Sequence, residues 1–191
     1  MKAHRFDPRK LEKLNNPLRL KELPVKKIIK LANIDSPKVI IDLGAGTGFF
    51  SIPFSKINKQ CKIYACDVSG VMIDWMHQNV VAKYKNIIPL KMKNNLVPLN
   101  DNIADFLFMI NLHHELDNPD KTLQESYRLL KPEGKIAISD WKKEKTEHGP
   151  PVEIRYDPDV IKKQLSAAGF IRIRIYTGFI NNFLIIADKY K

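Results

Sequence analysis

Apolar residues recur along this chain in two alternating rhythms. Lys38-Val39-Ile40-Ile41-Asp42-Leu43 is a β-branched run that stops at a glycine-rich turn, the pattern of a buried strand. A helix is expected from Thr47 to about Asn58, followed by a strand over Lys62-Ile63-Tyr64-Ala65-Cys66 that ends at Asp67. Ser69 then stands as N-cap to a helix in which Met72, Met76 and Val80 share one face at i, i+4 and i+8. Strands are predicted over residues 86–92, 104–110 and 135–139, the last after the turn Lys131-Pro132-Glu133-Gly134. Asn118-Pro119-Asp120 and Asp157-Pro158-Asp159 are matching helix starts, each with a capping side chain, a proline at the first helical position and an acid in the first turn. Leu123, Tyr127 and Leu130 make the apolar face of the first of these helices, and Gly169 supplies the stop of the second. Two strand-like runs, 170–176 and 183–187, close the chain as an antiparallel hairpin, and Pro24 to Ala32 has helical apolar spacing ahead of the first strand.

Strands alternating with helices imply an α/β fold, a mostly parallel sheet covered by helices on both faces and finished by an antiparallel edge. The length of 191 residues and the absence of a linker or repeat suit a single domain over 1–191, with residues 1–23 as an N-terminal lid or loose extension. A 44% hydrophobic and 28% charged composition excludes disordered and fibrous classes. No apolar run is long enough to span a bilayer and Met1 to Lys10 has no apolar signal core, so a cytoplasmic location is expected. Cys61 and Cys66 lie five apart on one predicted strand, pointing to opposite faces, and are read as small apolar residues. No Cys/His cluster has zinc-site spacing, and no metal is expected. The net charge of +11 would attract nucleic acid, but the lysines are distributed along the chain, as at Lys26-Lys27, Lys142-Lys143 and Lys162-Lys163. A solvated lysine-rich surface is the simpler reading, and nucleic acid is not the favoured partner.

The ligand crevice of such a sheet lies at the carboxyl ends of its strands, where the turn Asp42-Leu43-Gly44-Ala45-Gly46-Thr47-Gly48 sits. A dinucleotide fingerprint needs glycine at the first, third and sixth positions, and the sixth here is Phe49. Asp42, two residues before the first glycine, would repel a pyrophosphate and suits a ligand carrying an ammonium group. S-adenosyl-L-methionine carries an ammonium, a sulfonium and a ribose with both hydroxyls free. Asp67 ends the second strand 23 residues after Gly44, near the spacing at which an acid grips ribose hydroxyls.

Residues 39–50, 63–69, 105–115 and 129–140 resemble four successive signature blocks of class I S-adenosylmethionine-dependent methyltransferases. The chain is most similar to small single-domain members related to quinone-biosynthesis methylases, which share an opening like Phe6-Asp7-Pro8 and a stretch like Trp141-Lys142-Lys143. The resemblance implies a Rossmann-like three-layer sandwich with a seven-stranded sheet whose last strand is antiparallel. It places the backbone of Gly44, Ala45 and Gly46 against the methionine moiety, Asp67 on the ribose, and Val68 and Met72 near the adenine. Where the family usually has an acid beside the adenine amino group this chain has Lys93, which cannot accept that hydrogen bond; neighbouring Asn94 can.

The acceptor is expected at the end of the fourth strand, Asn111-Leu112-His113-His114-Glu115, with Asn111 beside the cofactor and His114-Glu115 as a base and its orienting acid. Adjacent side chains diverge, so the alternative is that one of His113 and His114 caps the next segment while the other packs. The tetrapeptide of amino-directed methylases is absent here, and neither cysteine lies near this segment, which excludes the cytosine-carbon and arsenic chemistries. Trp141 to Pro151 forms a loop on the same rim, and Phe6, Tyr156 and Phe179 are candidates to close a pocket or to fill the core. The expected activity is methyl transfer to a small molecule. An RNA or protein methyltransferase using the basic rim and a non-catalytic cofactor-binding scaffold are the alternatives.

Overall fold

A computed structural model of the chain describes residues 11–191; Phe6 lies outside them. Helices α1 (Leu11–Leu14), α2 (Leu18–Glu22) and α3 (Val25–Ala32) precede the first strand. Then come β1 (Val39–Leu43), α4 (Ser51–Ser55), β2 (Lys62–Asp67), α5 (Gly70–Asn79), β3 (Ile87–Lys91) and β4 (Ala104–Ile110). The remainder is α6 (Pro119–Leu129), β5 (Leu130–Trp141), α7 (Pro158–Ala167), β6 (Phe170–Tyr176) and β7 (Asn182–Lys189). The sheet order is β3-β2-β1-β4-β5-β7-β6. The first five strands run parallel, while β7 inserts between β5 and β6, antiparallel to both. This is the seven-stranded, mostly parallel Rossmann-like sheet expected.

Strand alternation builds a core on each face. Phe106 and Phe108 of β4 meet Phe54 of α4 on one side, with the rings of Phe54 and Phe108 stacked at 4.1 Å. Leu107 and Met109 pack on the other with Leu123 and Ile138. Cys61 and Cys66 belong to these opposite cores and are free. The caps at Asn118 and Asp157 form as their sequences require, the two side chains accepting from the N–H groups of Lys121 at 3.0 Å and Asp159 at 2.9 Å.

Three elements differ from the sequence expectation. The helix after the glycine turn begins at Ser51, because left-handed backbone at Gly46 and Gly48 delays its start, and it ends at Ser55. Ser69 occupies the N-cap of α5, but its side chain makes no capping bond; its N–H is instead taken by Asp67. Strand β5 reaches from Leu130, paired with Ala104, to Trp141, paired with Asn182 on β7, so Leu130 belongs to the sheet rather than to the face of α6. That extension carries Asp140 to the carboxyl rim. Among the described residues no helix is long and apolar enough to cross a membrane, and no group of His, Cys, Asp and Glu is placed to hold a metal ion.

Candidate active site

The turn after β1 is tied to the end of β2. Gly44 and Ala45 donate their N–H groups to the Cys66 carbonyl at 2.8 and 3.0 Å, and Gly46 donates to Asp67 Oδ2 at 2.8 Å. Ser69 N–H takes the other oxygen, Oδ1, also at 2.8 Å. Gly44 has φ +73°, and a Cβ there would lie 2.6 Å from a methyl of Leu112, so no other residue fits that position as it stands. Burial pushes the Asp67 carboxyl up, opposed by its backbone hydrogen bonds from Ser69 and Gly46. The backbone N–H groups of Ser69, Gly46 and Val68 do not exhaust the acceptor capacity of the carboxylate, and what remains suits the hydroxyls of a ribose.

Asp42 is buried and accepts from Ser51 Oγ at 2.6 Å. Burial pushes its carboxyl up to about 7; the Ser51 bond opposes the shift and the neighbouring charge of Asp67 adds to it. Met72 is buried on α5 and Val68 exposed beside it. Asn94 stands exposed, with φ +55°, in a tight turn closed by pairing of Lys93 with Leu96. The N-terminal helices lie over this loop. Thr47 Oγ1 donates to Asn15 Oδ1 at 2.9 Å, a Leu14 methyl is 3.3 Å from where a Gly46 Cβ would stand, and Arg19 covers the rings of Phe49 and Phe50 at 5.4 and 4.9 Å. Burial lowers the Arg19 pKa to about 10 against the attraction of Asp42 and Glu22, leaving a desolvated guanidinium within reach of the Asp42 charge.

On the other side of the rim, Asn111 follows β4 at φ +56°, a conformation asparagine tolerates, and its Oδ1 accepts from Asn182 Nδ2 at 2.7 Å. The chain then turns through a single 3₁₀ turn, His113–Glu115. This turn sends the two histidines apart. His113 is fully buried, its Nε2 2.9 Å from Gln164 Oε1 on α7 and its ring edge-on to Tyr156 at 5.0 Å. Burial lowers its pKa despite Gln164 and Asp140, and its Nδ1 has no partner. His113 thus takes the packing alternative of the pair, its ring enclosed by Gln164 and Tyr156.

His114 has the opposite surroundings. Its Nδ1 is 2.7 Å from Oδ1 of the buried Asp140, its backbone N–H donates to Asp140 Oδ2 at 3.0 Å, and its Nε2 is 3.6 Å from Glu115 Oε1. Burial works against the imidazolium, yet the Asp140 hydrogen bond and charge, with Glu115, outweigh it and raise the His114 pKa. Asp140 Oδ1 also accepts from Trp141 N–H at 2.8 Å, which fixes the carboxylate's direction. Asp140 was missed in the sequence, although an acid closing a strand is the sign that picked out Asp67.

Arg155 was missed too, and it organises the rim loop. It is buried, donates Nε and Nη2 to the Pro150 carbonyl at 2.9 and 2.6 Å, and donates Nη1 to the carbonyls of Lys142 and Glu144 at 3.0 and 2.8 Å. Trp141 lies under it and meets His148 edge-on at 5.5 Å. Glu22 of α2 joins this loop to the C-terminal hairpin, accepting from Asn181 Nδ2 at 2.7 Å and pairing with His148 Nε2 at 3.2 Å. Phe179 takes its core reading, buried beneath Lys27 at 4.2 Å.

A parallel sheet with a glycine turn after β1, an acid at the end of β2 and a His–Asp pair across β4 and β5 defines an enzyme of the nucleoside-cofactor class. The comparisons narrow it. Residues 41–138 match the methyltransferase domain family. A solved SAM-dependent methyltransferase from Aquifex aeolicus is 36% identical, superposes with a TM-score of 0.90, and is matched over 96% of this chain and 99% of its own. The tRNA(Phe) (4-demethylwyosine(37)-C(7)) aminocarboxypropyltransferase of Methanocaldococcus jannaschii is 30% identical over 61% of this chain and 45% of its own length. The ubiquinone/menaquinone biosynthesis C-methyltransferase UbiE of Haemophilus ducreyi is 25% identical over 60% of this chain and 46% of its own. The match thus spans less than half the length of these two curated relatives. The chain belongs to the S-adenosylmethionine-dependent methyltransferase family.

Proposed function

We propose that this protein transfers a methyl group from S-adenosyl-L-methionine to a protic oxygen or nitrogen of a small molecule held at the carboxyl rim, with His114 as general base. The observation that carries the reading is the His114–Asp140 pair at 2.7 Å. Asp140 accepts from Nδ1–H and so leaves the Nε2 lone pair free to take the acceptor's proton; Glu115, 3.6 Å from Nε2, then faces the imidazolium that forms. When bound, the cofactor supplies an electrophilic methyl on a sulfonium. Asp67 would hold its ribose, Asp42 its ammonium and Arg19 its carboxylate, with the backbone of Gly44, Ala45 and Gly46 along the methionine portion. Val68 and Met72 would border the adenine, with Asn94 beside its amino group and Asn111 near the sulfonium. Residues 11–23 would act as a lid, because their contacts fall on Gly46, Thr47 and Phe49 of the cofactor loop. The buried free thiols of Cys61 and Cys66 suit a reducing compartment such as the cytoplasm.

A second reading, an RNA acceptor, has one specific support: the Methanocaldococcus relative is named for a modification of tRNA(Phe). The deciding experiment measures S-adenosylhomocysteine release with a panel of phenols, quinols, thiols, amines and bulk RNA. Turnover with a protic small molecule, rising with pH as His114 deprotonates, is the expected result. Turnover confined to RNA would replace the first reading with the second; cofactor binding without any turnover would leave a scaffold.

A further inference from the structure

The net charge is not evenly laid over the molecule. Between residues 43 and 100 the chain carries seven lysines against two carboxylates, Asp67 and Asp74, and Asp67 is buried in the cofactor loop. The fold gathers most of these lysines at one place. Lys56 and Lys59 follow α4, Lys62 opens β2, and Lys83 and Lys85 precede β3, so all five stand at the amino ends of β2 and β3, opposite the cofactor rim. They are exposed and line a groove of about 690 Å³ that contains no acid. Tyr84 is half-buried in the same groove, with Lys56 Nζ 5.5 Å from its ring centre. The basic character continues along the sheet margin. Strand β3 is the edge strand, Lys91 is its last residue, and Lys93 follows it, so lysines flank the whole length of the edge.

We propose that this groove and the β3 edge bind the phosphate backbone of single-stranded RNA. Seven like charges with so little counter-charge repel one another, and they are tolerated only while solvated or while a polyanion lies across them. Several phosphates spaced along a flexible chain match lysines spread over a groove and one strand better than a compact anion does, and a lysine groove containing an aromatic ring is the arrangement that follows single-stranded backbones. Flexible lysines, with no arginine forks between residues 43 and 100, read charge without reading sequence. The groove lies at the end of the strands opposite the methyl-transfer site, and only the far end of the β3 edge, where Lys91 pairs with Asp67, reaches the cofactor rim.

The test is fluorescence-anisotropy titration of the full chain with a labelled single-stranded RNA of mixed sequence at rising salt. About four phosphate contacts, each releasing roughly 0.7 counterion from a single strand, predict an affinity loss of roughly 50-fold between 50 and 200 mM salt. The quadruple variant Lys59→Glu, Lys62→Glu, Lys83→Glu, Lys85→Glu should bind more than about tenfold worse than wild type. A control with the same charge change on other exposed faces, Lys26→Glu, Lys30→Glu, Lys162→Glu, Lys163→Glu, should lose less than about threefold. Equal losses in the two variants would assign binding to net charge alone and overturn the proposal. So would wild-type protein that ignores RNA at 100 mM salt or prefers vesicles of anionic lipid. Calorimetry with S-adenosylmethionine on the same variants, expected unchanged, separates failure of this proposal from failure of the methyltransferase reading.

Discussion

On the cofactor side of the rim, the contacts within the β1–β2 unit join residues near one another in the chain or run through backbone, as Ser69 to Asp67, Ser51 to Asp42 and Gly46 to Asp67 across 21 residues, and the N-terminal helices add one longer side-chain link, Thr47 to Asn15 across 32. On the acceptor side they join side chains far apart. His114 meets Asp140 across 26 residues, His113 meets Gln164 across 51, Asn111 meets Asn182 across 71, and Glu22 meets Asn181 across 159. The first half is a property of one βαβ unit and recurs wherever that unit binds the same ligand. The second is a property of the closed sheet, set by how β5, β7 and the N-terminal helices happen to meet.

Four substitutions test that contrast, from the largest effect to the smallest. Asp67→Ala removes a carboxylate proposed to accept two ribose hydroxyls, each hydrogen bond contributing roughly 1.5–3 kcal/mol, so calorimetry should show cofactor affinity falling about 10³-fold. Unchanged affinity would remove Asp67 from the cofactor site. Asp140→Asn should lower kcat about 10²-fold with cofactor affinity intact, because the tautomer of His114 is no longer set. Its pH profile gives the sign. The folded His114 pKa is raised and the base acts when neutral, so kcat/KM in the wild type rises with pH through a value above that of a free histidine. In Asp140→Asn the rise should move to lower pH; an unmoved profile would mean that another group titrates.

Gly44→Ala places a methyl against Leu112 at a left-handed φ, at a cost of about 3 kcal/mol, which should lower the thermal midpoint by roughly 9 °C. Adding Leu112→Ala should recover the steric part only. If the double variant is no more stable than the single, the close approach of the two sides at Gly44 and Leu112 is not what restricts this position. Last, His148→Ala breaks a half-exposed pair with Glu22 and should cost less than about 1 kcal/mol in chemical denaturation. A larger loss would mean that the lid and rim loop fold as one unit.

The same contrast explains what could be read in advance. Gly44, Gly46 and Asp67 announce themselves by spacing, since a turn that must place backbone against a ligand has few solutions. The caps at Asn118 and Asp157 are local hydrogen bonds and equally legible. Asp140 was hidden because nothing in its neighbours says that β5 runs on to Trp141; β7, some forty residues later, holds it there. The two adjacent histidines carried no sign of which faces Asp140 and which faces Gln164, because one 3₁₀ turn decides it. The placement of charge was hidden for a related reason. Lysines scattered along the sequence are gathered at the β2–β3 corner, and Arg19 comes to the glycine turn only when α2 folds across Phe49 and Phe50.

Arg155 has a consequence for how new specificities arise. Its hydrogen bonds to the loop run mainly to the carbonyls of Lys142, Glu144 and Pro150, with Thr146 Oγ1 the one side chain it reaches, at 2.9 Å. The path of the segment is thus anchored by parts that every amino acid shares. The side chains of residues 142–145 are then nearly interchangeable ornaments on a fixed rail, and a lineage or a combinatorial library can redraw this stretch of the rim without first rebuilding what holds it.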